Sequence, residues 1–288
     1  MALPDLSRRL GTALVGATLF LTALWWQPIS LVAAFALIAG FACWELASLT
    51  RVWHRRPPAY TAIPAFLLGF AWPLAMAFPA QPITRWSLLA VPIFMLLVLV
   101  ARPNDGNRQA ARYALLGAVW VGLPLALISI LGAGGNLLSW FQSGSRLSAE
   151  GEHQAALVTG VLVLIWANDV GAYFAGSTLG RTKLAPSISP NKSWEGVIGG
   201  WLLGLVVAFV FTRLCDGMAL GPWLGMATLT TVFGTSGDLL ESRLKRRTGA
   251  KDSGTLLPGH GGFLDRFDSL LLVAPVAWLW FRVFFPVS

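Results

Sequence analysis

The chain has 288 residues, of which 56% are apolar and only 12% charged, and it carries a net charge of +8. Its positive mean hydropathy excludes an ordinary soluble domain, and the lack of a basic soluble face excludes nucleic-acid binding. The positive balance is read instead as topology determination and attraction to anionic lipid headgroups. Two cysteines, Cys43 and Cys215, lie in or beside apolar stretches and imply no disulfide framework.

Windows of about 18 or more mostly apolar residues are long enough to cross the ~30 Å hydrocarbon core as helices. About nine are expected, at roughly 10–26, 29–49, 61–79, 86–101, 111–133, 155–175, 195–213, 219–241 and 268–286. The first follows Arg8 and Arg9 in the manner of a signal peptide. Its bulky "LWWQP" has no small-residue cleavage pattern, so it is read as a retained helix. The second contains Glu45, in "FACWELASL", a carboxylate inside a span and therefore a functional candidate. Near the inner end of its span, Glu45 could equally snorkel or pair with Arg51. The segment "NLLSWFQSGSRLSAEGEHQ" (136–154) is polar and outward-facing, and its His153 reads as exposed and ordinary.

Basic residues are retained on the cytoplasmic side of a membrane. With the amino terminus inside, all of the 21 Lys and Arg except Arg85, Arg146, Arg213 and Arg282 fall on inner segments. The sequence therefore predicts an all-α polytopic membrane bundle with a cytoplasmic amino terminus. Residues 1–150 form about five spans with short loops, and residues 151–288 about four spans with motif-bearing cytoplasmic loops.

Polar groups enter the spans from residue 155 onward. Three segments are expected to meet at the cytoplasmic face: "WANDVGAYFAGSTLGRTKLAPSISPNKSWEG" (166–196), "GTSGDLLESRLKRR" (234–247) and the charged loop through Asp268. Asp169 and Asp238 follow apolar runs, where a charge costs roughly 2.5–3.5 kcal/mol and requires a metal ion or neighbouring cations in compensation. Carboxylate oxygens with water and phosphate suit Mg²⁺, and Asp238, Asp265 and Asp268 form the constellation assigned to metal first. "GTSGD" (234–238) and "GHGGF" (259–263) allow close backbone approach to a ligand. With Lys192, Lys251 and Arg266 they could present N–H groups and cations to phosphates. For the glycines of "VIGGWLLG" (197–204), close helix packing is the preferred explanation.

"SISPNKSWEG" (187–196) reads as a turn followed by Ser193 capping a helix that begins near Trp194. Such a helix start beside Lys192 suits a phosphate, and an ordinary cap uses the same residue types. His260 could be acid, base, metal ligand, phosphate donor or a residue that holds its loop. HExxH, CxxC and GxSxG patterns are absent, which removes zinc proteases and common serine hydrolases. Intramembrane Asp169 and Asp238 would also fit a transporter, but these charges cluster toward one face instead of a midplane site. The DGxxAR…GxxxDxxxD pattern of CDP-alcohol phosphotransferases is absent as well.

Taken together, Ser242, Leu244, Lys245-Arg246, Lys251-Asp252, Gly254, Leu257-Pro258, His260-Gly261-Gly262, Phe263, Asp265-Arg266 and Asp268 resemble, in type and spacing, the signature of the phosphatidate cytidylyltransferases. "NDVGAYFAG" and "SISPNKSWEG" resemble further segments of that family, so the motif-level likeness covers roughly residues 166–268. The "WEL" of residues 44–46 is a faint echo. The resemblance implies CTP plus phosphatidate giving CDP-diacylglycerol plus diphosphate, with Mg²⁺ and room for a second cation. It also implies a bacterial-type inner membrane, contact with bilayer lipids, a cytoplasm-facing site and a homodimer. On this analogy Asp238 and Asp265 hold the metal, with Asp268 a further ligand or orienter. Asp169, Lys192 and Ser193 bind nucleotide and phosphates. Lys251 and Arg266 neutralise triphosphate or lipid phosphate, Lys245 supports them, Arg246 contacts nucleotide phosphate or lipid headgroups, and Arg247 contacts headgroups. His260 keeps an open role in the catalytic loop.

Overall fold

A computed structural model describes residues 3–53, 62–77, 116–133, 149–214, 219–254, 256 and 261–284. The described chain is helical apart from one two-stranded ribbon. Its elements are α1 (Leu3–Trp26), α2 (Pro28–Trp53), α3 (Ala62–Ala77), α4 (Leu123–Ala133), α5 (Ala149–Leu179), β1 (Lys183–Ala185), β2 (Ser189–Ser193), α6 (Trp194–Leu214), α7 (Leu220–Arg247) and α8 (Leu264–Phe284). A π-helical turn, Ala118–Gly122, leads into α4.

Helices occupy the described parts of the expected windows, and the fourth window, 86–101, lies outside the described residues. Among the described residues, four segments are long and apolar enough to cross a membrane: Pro28–Leu49, Ala155–Leu179, Trp194–Leu214 and Leu264–Phe284. The chain is a helical membrane protein. It divides into two compact units, one of Met1–Ala155 with Arg247–Phe267 and the other of Ala156–Arg246 with Asp268–Ser288. The stretch 247–267 groups with the amino-terminal helices.

In the first unit α2 is central and packs on α1, α3 and α4. Pro28 opens it, at the position where a missing N–H costs nothing. The hydroxyl of Ser30 accepts the Gln27 N–H at 3.1 Å and donates to the Ala23 carbonyl at 2.7 Å, joining the ends of α1 and α2 through a single-residue break. Leu31, Val32, Phe35, Ala36 and Ala39 of α2 are wholly buried. Phe41 packs edge-on against Phe66 of α3, with centroids 5.2 Å apart. Cys43 is buried and donates to the Gly117 carbonyl at 3.4 Å, a packing role.

In the second unit Trp223 of α7 is fully buried between Phe211 of α6 (4.8 Å) and Phe281 of α8 (5.2 Å). Gly160 of α5 closes a third side, since a side chain there would strike the Trp223 indole. Helices α5 and α6 approach through small residues. A Cβ at Gly171 would stand 2.6 Å from the Gly199 carbonyl oxygen, and one at Gly200 would stand 2.6 Å from that of Asn168. The "VIGG" glycines therefore serve helix contact, as their sequence suggested. The turn expected before α6 is a short antiparallel ribbon, with Lys183 opposite Ser193 and Ala185 opposite Ser189. Helix α7 ends in Lys245, Arg246 and Arg247, which complement its dipole. Gly249 follows at φ +72°, the left-handed position that commonly terminates a helix.

Candidate active site

The second unit contains a pocket of about 350 Å³, of a size suited to a small polar ligand. Asp169 enters it from α5, about 15 Å along the axis from the end of that helix. Lys192 and Ser193 enter from β2 and Asp238 from α7, with Ser269 of α8 completing the wall. Four of the residues singled out from sequence thus line one cavity: Asp169, Lys192, Ser193 and Asp238.

Lys192 forms an ion pair with Oδ2 of Asp238. The other oxygen of Asp238 accepts the Ser242 hydroxyl at 3.1 Å, one helical turn on. Asp169 feels the repulsion of Asp268 and Asp238 and the attraction of Lys192. Asp268 accepts the Ser269 N–H at 2.6 Å and lies against Glu241. Glu241 is completely buried, and Lys245 donates to its Oε2 at 3.1 Å while also attracting Asp268. The Lys245 ammonium is therefore paired with Glu241, and its charge is also felt at Asp268.

Ser193 is buried and its hydroxyl accepts the Gly196 N–H at 3.2 Å, so it caps α6 as its position suggested. Trp194 N–H donates to the Thr182 carbonyl at 3.0 Å, and the Glu195 carboxylate accepts the Thr182 N–H at 3.1 and 3.2 Å. These bonds pin the ribbon to the helix start and engage the Trp194 N–H. Lys192 is the cation that this segment brings to the pocket.

The first unit holds the motif residues from Arg247 to Phe267. Asp265 accepts the Ser253 N–H with both oxygens, at 3.1 and 2.9 Å, and the Gly262 N–H at 3.0 Å. Gly261 sits at φ +83°, where a side chain is strained, and a Cβ there would lie 3.0 Å from Oδ2 of Asp265. Lys251, Arg266, Arg246 and Arg247 are exposed. His260 lies outside the described residues.

Sequence reasoning passed over Asn168, Tyr173, Asn191 and Thr235 in the pocket wall. It also gave no role to Glu241, although the Glu241–Lys245 spacing of four on a helix was a usable signal. Glu45 is buried at 2% exposure, and its partners are Ser253 and Leu264. The side chain of Arg51, the partner considered from sequence, lies outside the described residues.

The family signature implies Mg²⁺, and the donor set suits a hard cation. Asp169, Asp238 and Asp268 press like charges on one another, and an incoming phosphate would add more. Among the described residues no three such groups form a ready-made cage. Mg²⁺ does not require one, because it commonly binds one or two carboxylates together with substrate phosphates.

The pocket sets the carboxylates of Asp169 and Asp238 around the Lys192 ammonium in a chain of apolar helices, the equipment of a membrane protein with a charged site. Residues 7–284 match the model of the "Cytidylyltransferase family". The chain is 37% identical over 228 residues to the "Phosphatidate cytidylyltransferase" of Haemophilus influenzae, covering 68% of this chain and 79% of that protein. It is 36% identical over 197 residues to the protein of the same name from Staphylococcus aureus, covering 68% of each. Over a shorter stretch of 123 residues it is 50% identical to the Bacillus subtilis protein of that name, covering 42% of this chain and 46% of that one. The chain belongs to the cytidylyltransferase family and is an enzyme of the nucleotidyltransferase class.

Proposed function

We propose that this protein transfers the cytidylyl group of CTP to phosphatidate, giving CDP-diacylglycerol and diphosphate. The observation that carries this reading is the second unit's pocket, where Asp169, Lys192 and Asp238 converge, in a chain whose relatives bear the name phosphatidate cytidylyltransferase. A phosphate oxygen of phosphatidate attacks the α-phosphorus of CTP in line. The bond from that phosphorus to the α–β bridging oxygen breaks, and its electron pair leaves with diphosphate. The nucleophile is already an anion, so the protein's task is positioning and charge neutralisation.

Asp238 and Asp268 would hold Mg²⁺, which when bound supplies positive charge to the phosphate oxygens. The motif gives Asp265 a metal role too. Its N–H bonds are compatible with that, because metal-bound carboxylates are themselves commonly hydrogen-bonded. Lys192 engages a phosphate, Lys251 and Arg266 neutralise triphosphate or lipid phosphate, and Lys245 keeps Glu241 and Asp268 in place. His260 belongs to the same motif loop. The distribution of Lys and Arg supports about nine spans with the amino terminus and the site on the cytoplasmic side of a bacterial inner membrane. A homodimer completes the proposal.

The test is turnover of purified protein in detergent with phosphatidate, CTP and Mg²⁺, following diphosphate and CDP-lipid together. Equal formation of both, dependent on each substrate, is expected. Folded protein that consumes no CTP, or releases diphosphate without CDP-lipid, would overturn the reading.

A further inference from the structure

We propose that Glu45, remote in sequence from the motif, is a positioning residue that holds both ends of the motif loop and starts helix α8. The role in catalysis rests on the cytidylyltransferase reading above; the structural role does not. The first N–H groups of a helix have no partner within it and are usually met by a side chain just before it. Here the preceding residues are Gly261, Gly262 and Phe263, and none has a side chain able to accept. Glu45, 219 residues away from Leu264, supplies the missing acceptor: its Oε2 takes the Leu264 N–H at 2.9 Å. The Phe263 N–H is also directed at this carboxylate.

The same Oε2 accepts the Ser253 hydroxyl at 3.1 Å. Ser253 is thereby held twice, through its hydroxyl by Glu45 and through its N–H by Asp265. Gly262 is held by Asp265, and the Glu45 carboxylate lies against its Cα. Ser253 and Gly262 bracket the loop that carries the Leu-Pro-Gly-His portion of the motif. One turn earlier on α2, Phe41 stacks on Phe263 with centroids 5.1 Å apart and planes at 16°, so one face of α2 supports the loop's end twice. The arrangement also accounts for a glycine. A Cβ at Gly254 would lie 2.5 Å from Oε1 and 2.7 Å from Cδ of Glu45, so no side chain fits there. Among the described residues Oε1 is buried without a hydrogen-bond partner, and the bonds to Leu264 and Ser253 are made through Oε2. Arg266 and Asp268 follow on α8, and their placement along the helix depends on where its first turn is fixed.

The experiment compares wild type, Glu45→Ala and Glu45→Gln in detergent, by steady-state kinetics and by amide hydrogen exchange. Glutamine keeps an acceptor at the Oε2 position without the charge. Alanine is expected to lower kcat about 100-fold, the scale of an ångström-level misplacement of catalytic groups, with KM for CTP within about 3-fold. Exchange at 249–264 should rise at least tenfold, while that of α5, α6 and α7 stays as in wild type. Glutamine should return kcat to within about 5-fold and restore the protection. Unchanged exchange at 249–264 in the alanine variant, or a glutamine variant as impaired as alanine, overturns the proposal. If wild type makes no CDP-lipid, the cytidylyltransferase reading fails by itself, and the exchange comparison still decides whether Glu45 holds the loop.

Discussion

Replacing Lys192 with methionine removes an ammonium and keeps most of its apolar stem. Two losses follow, and their sizes differ. The ion pair with Asp238 is partly open to solvent, the two side chains being 26% and 32% exposed. Breaking it should cost no more than about 1 kcal/mol of stability, since exposed pairs are screened and entropically expensive. In a chain of this size that lowers the unfolding midpoint by roughly 2–4 °C. The second loss is a charge-assisted bond to a substrate phosphate, which contributes about 1.5–3 kcal/mol. If that bond tightens in the transition state, kcat/KM falls roughly 10- to 150-fold. Activity is therefore expected to drop far more than stability.

Initial rates of CDP-lipid formation over a range of CTP, beside thermal unfolding of the same detergent preparations, separate the two effects. Lys192→Arg keeps the charge and can grip a phosphate with two donors, so it should lie nearer wild type than methionine does. A methionine variant with kcat/KM within about 3-fold of wild type would refute the phosphate role. So would a loss of activity no larger than the fraction of protein unfolded at the assay temperature. In either case Lys192 would be only a counterion for Asp238.

Two other expectations concern the same unit. Asp238→Asn weakens the carboxylate that is to hold the cation, and the Mg²⁺ concentration for half-maximal activity should rise roughly 10- to 100-fold, read by titrating Mg²⁺ into chelator-treated enzyme. Gly200→Ala forces a Cβ to 2.6 Å from the Asn168 carbonyl oxygen and 2.7 Å from its Oδ1. Overpacking of this kind costs about 1–3 kcal/mol, so thermal unfolding should begin several degrees lower, and CTP turnover should fall because Asn168 adjoins Asp169 in the pocket wall.

The helices were legible because apolar windows of membrane-spanning length leave little else for the backbone to do: in lipid every N–H and C=O must be satisfied within the segment. The Ser193 cap was legible because its chemistry is local, a hydroxyl three residues before the N–H it accepts. The ribbon of β1 and β2 was not, since "SISPNKS" shows no alternation and contains a proline, and its pairing is completed by Thr182 bonds to Trp194 and Glu195. Asp169 and Asp238 could be named as candidates from their charge after apolar runs, and Lys192 from its place at a helix start. Their pairing, Lys192 with Asp238, needed the fold. Glu45 shows where sequence reasoning stops. Its cost in an apolar helix marked it as a functional candidate, but the backbone donor that repays the cost belongs to a residue more than two hundred positions away.

The acidic residues of this protein divide by where their lone pairs are directed, and that division bears on how such a motif is read. Asp265 spends both oxygens on backbone N–H groups, and Glu45 spends one on a helix start and a serine. These are the bonds of residues that shape a loop. Asp169 and Asp238 line the pocket, where their charges meet Lys192 and any arriving ligand, and the charge of Asp268 bears on both of them. These are the surroundings of residues that meet substrate or cation. Part of the motif's negative charge therefore also holds glycine-rich backbone in place. The glycines follow from the same commitment. Gly254 leaves room for the Glu45 carboxylate, and Gly261 provides the left-handed turn beside Asp265. Charge and flexibility are concentrated together in this part of the chain because a backbone that bends this tightly must have its N–H groups met by side chains, and carboxylates are the strongest acceptors the sequence can bring to them.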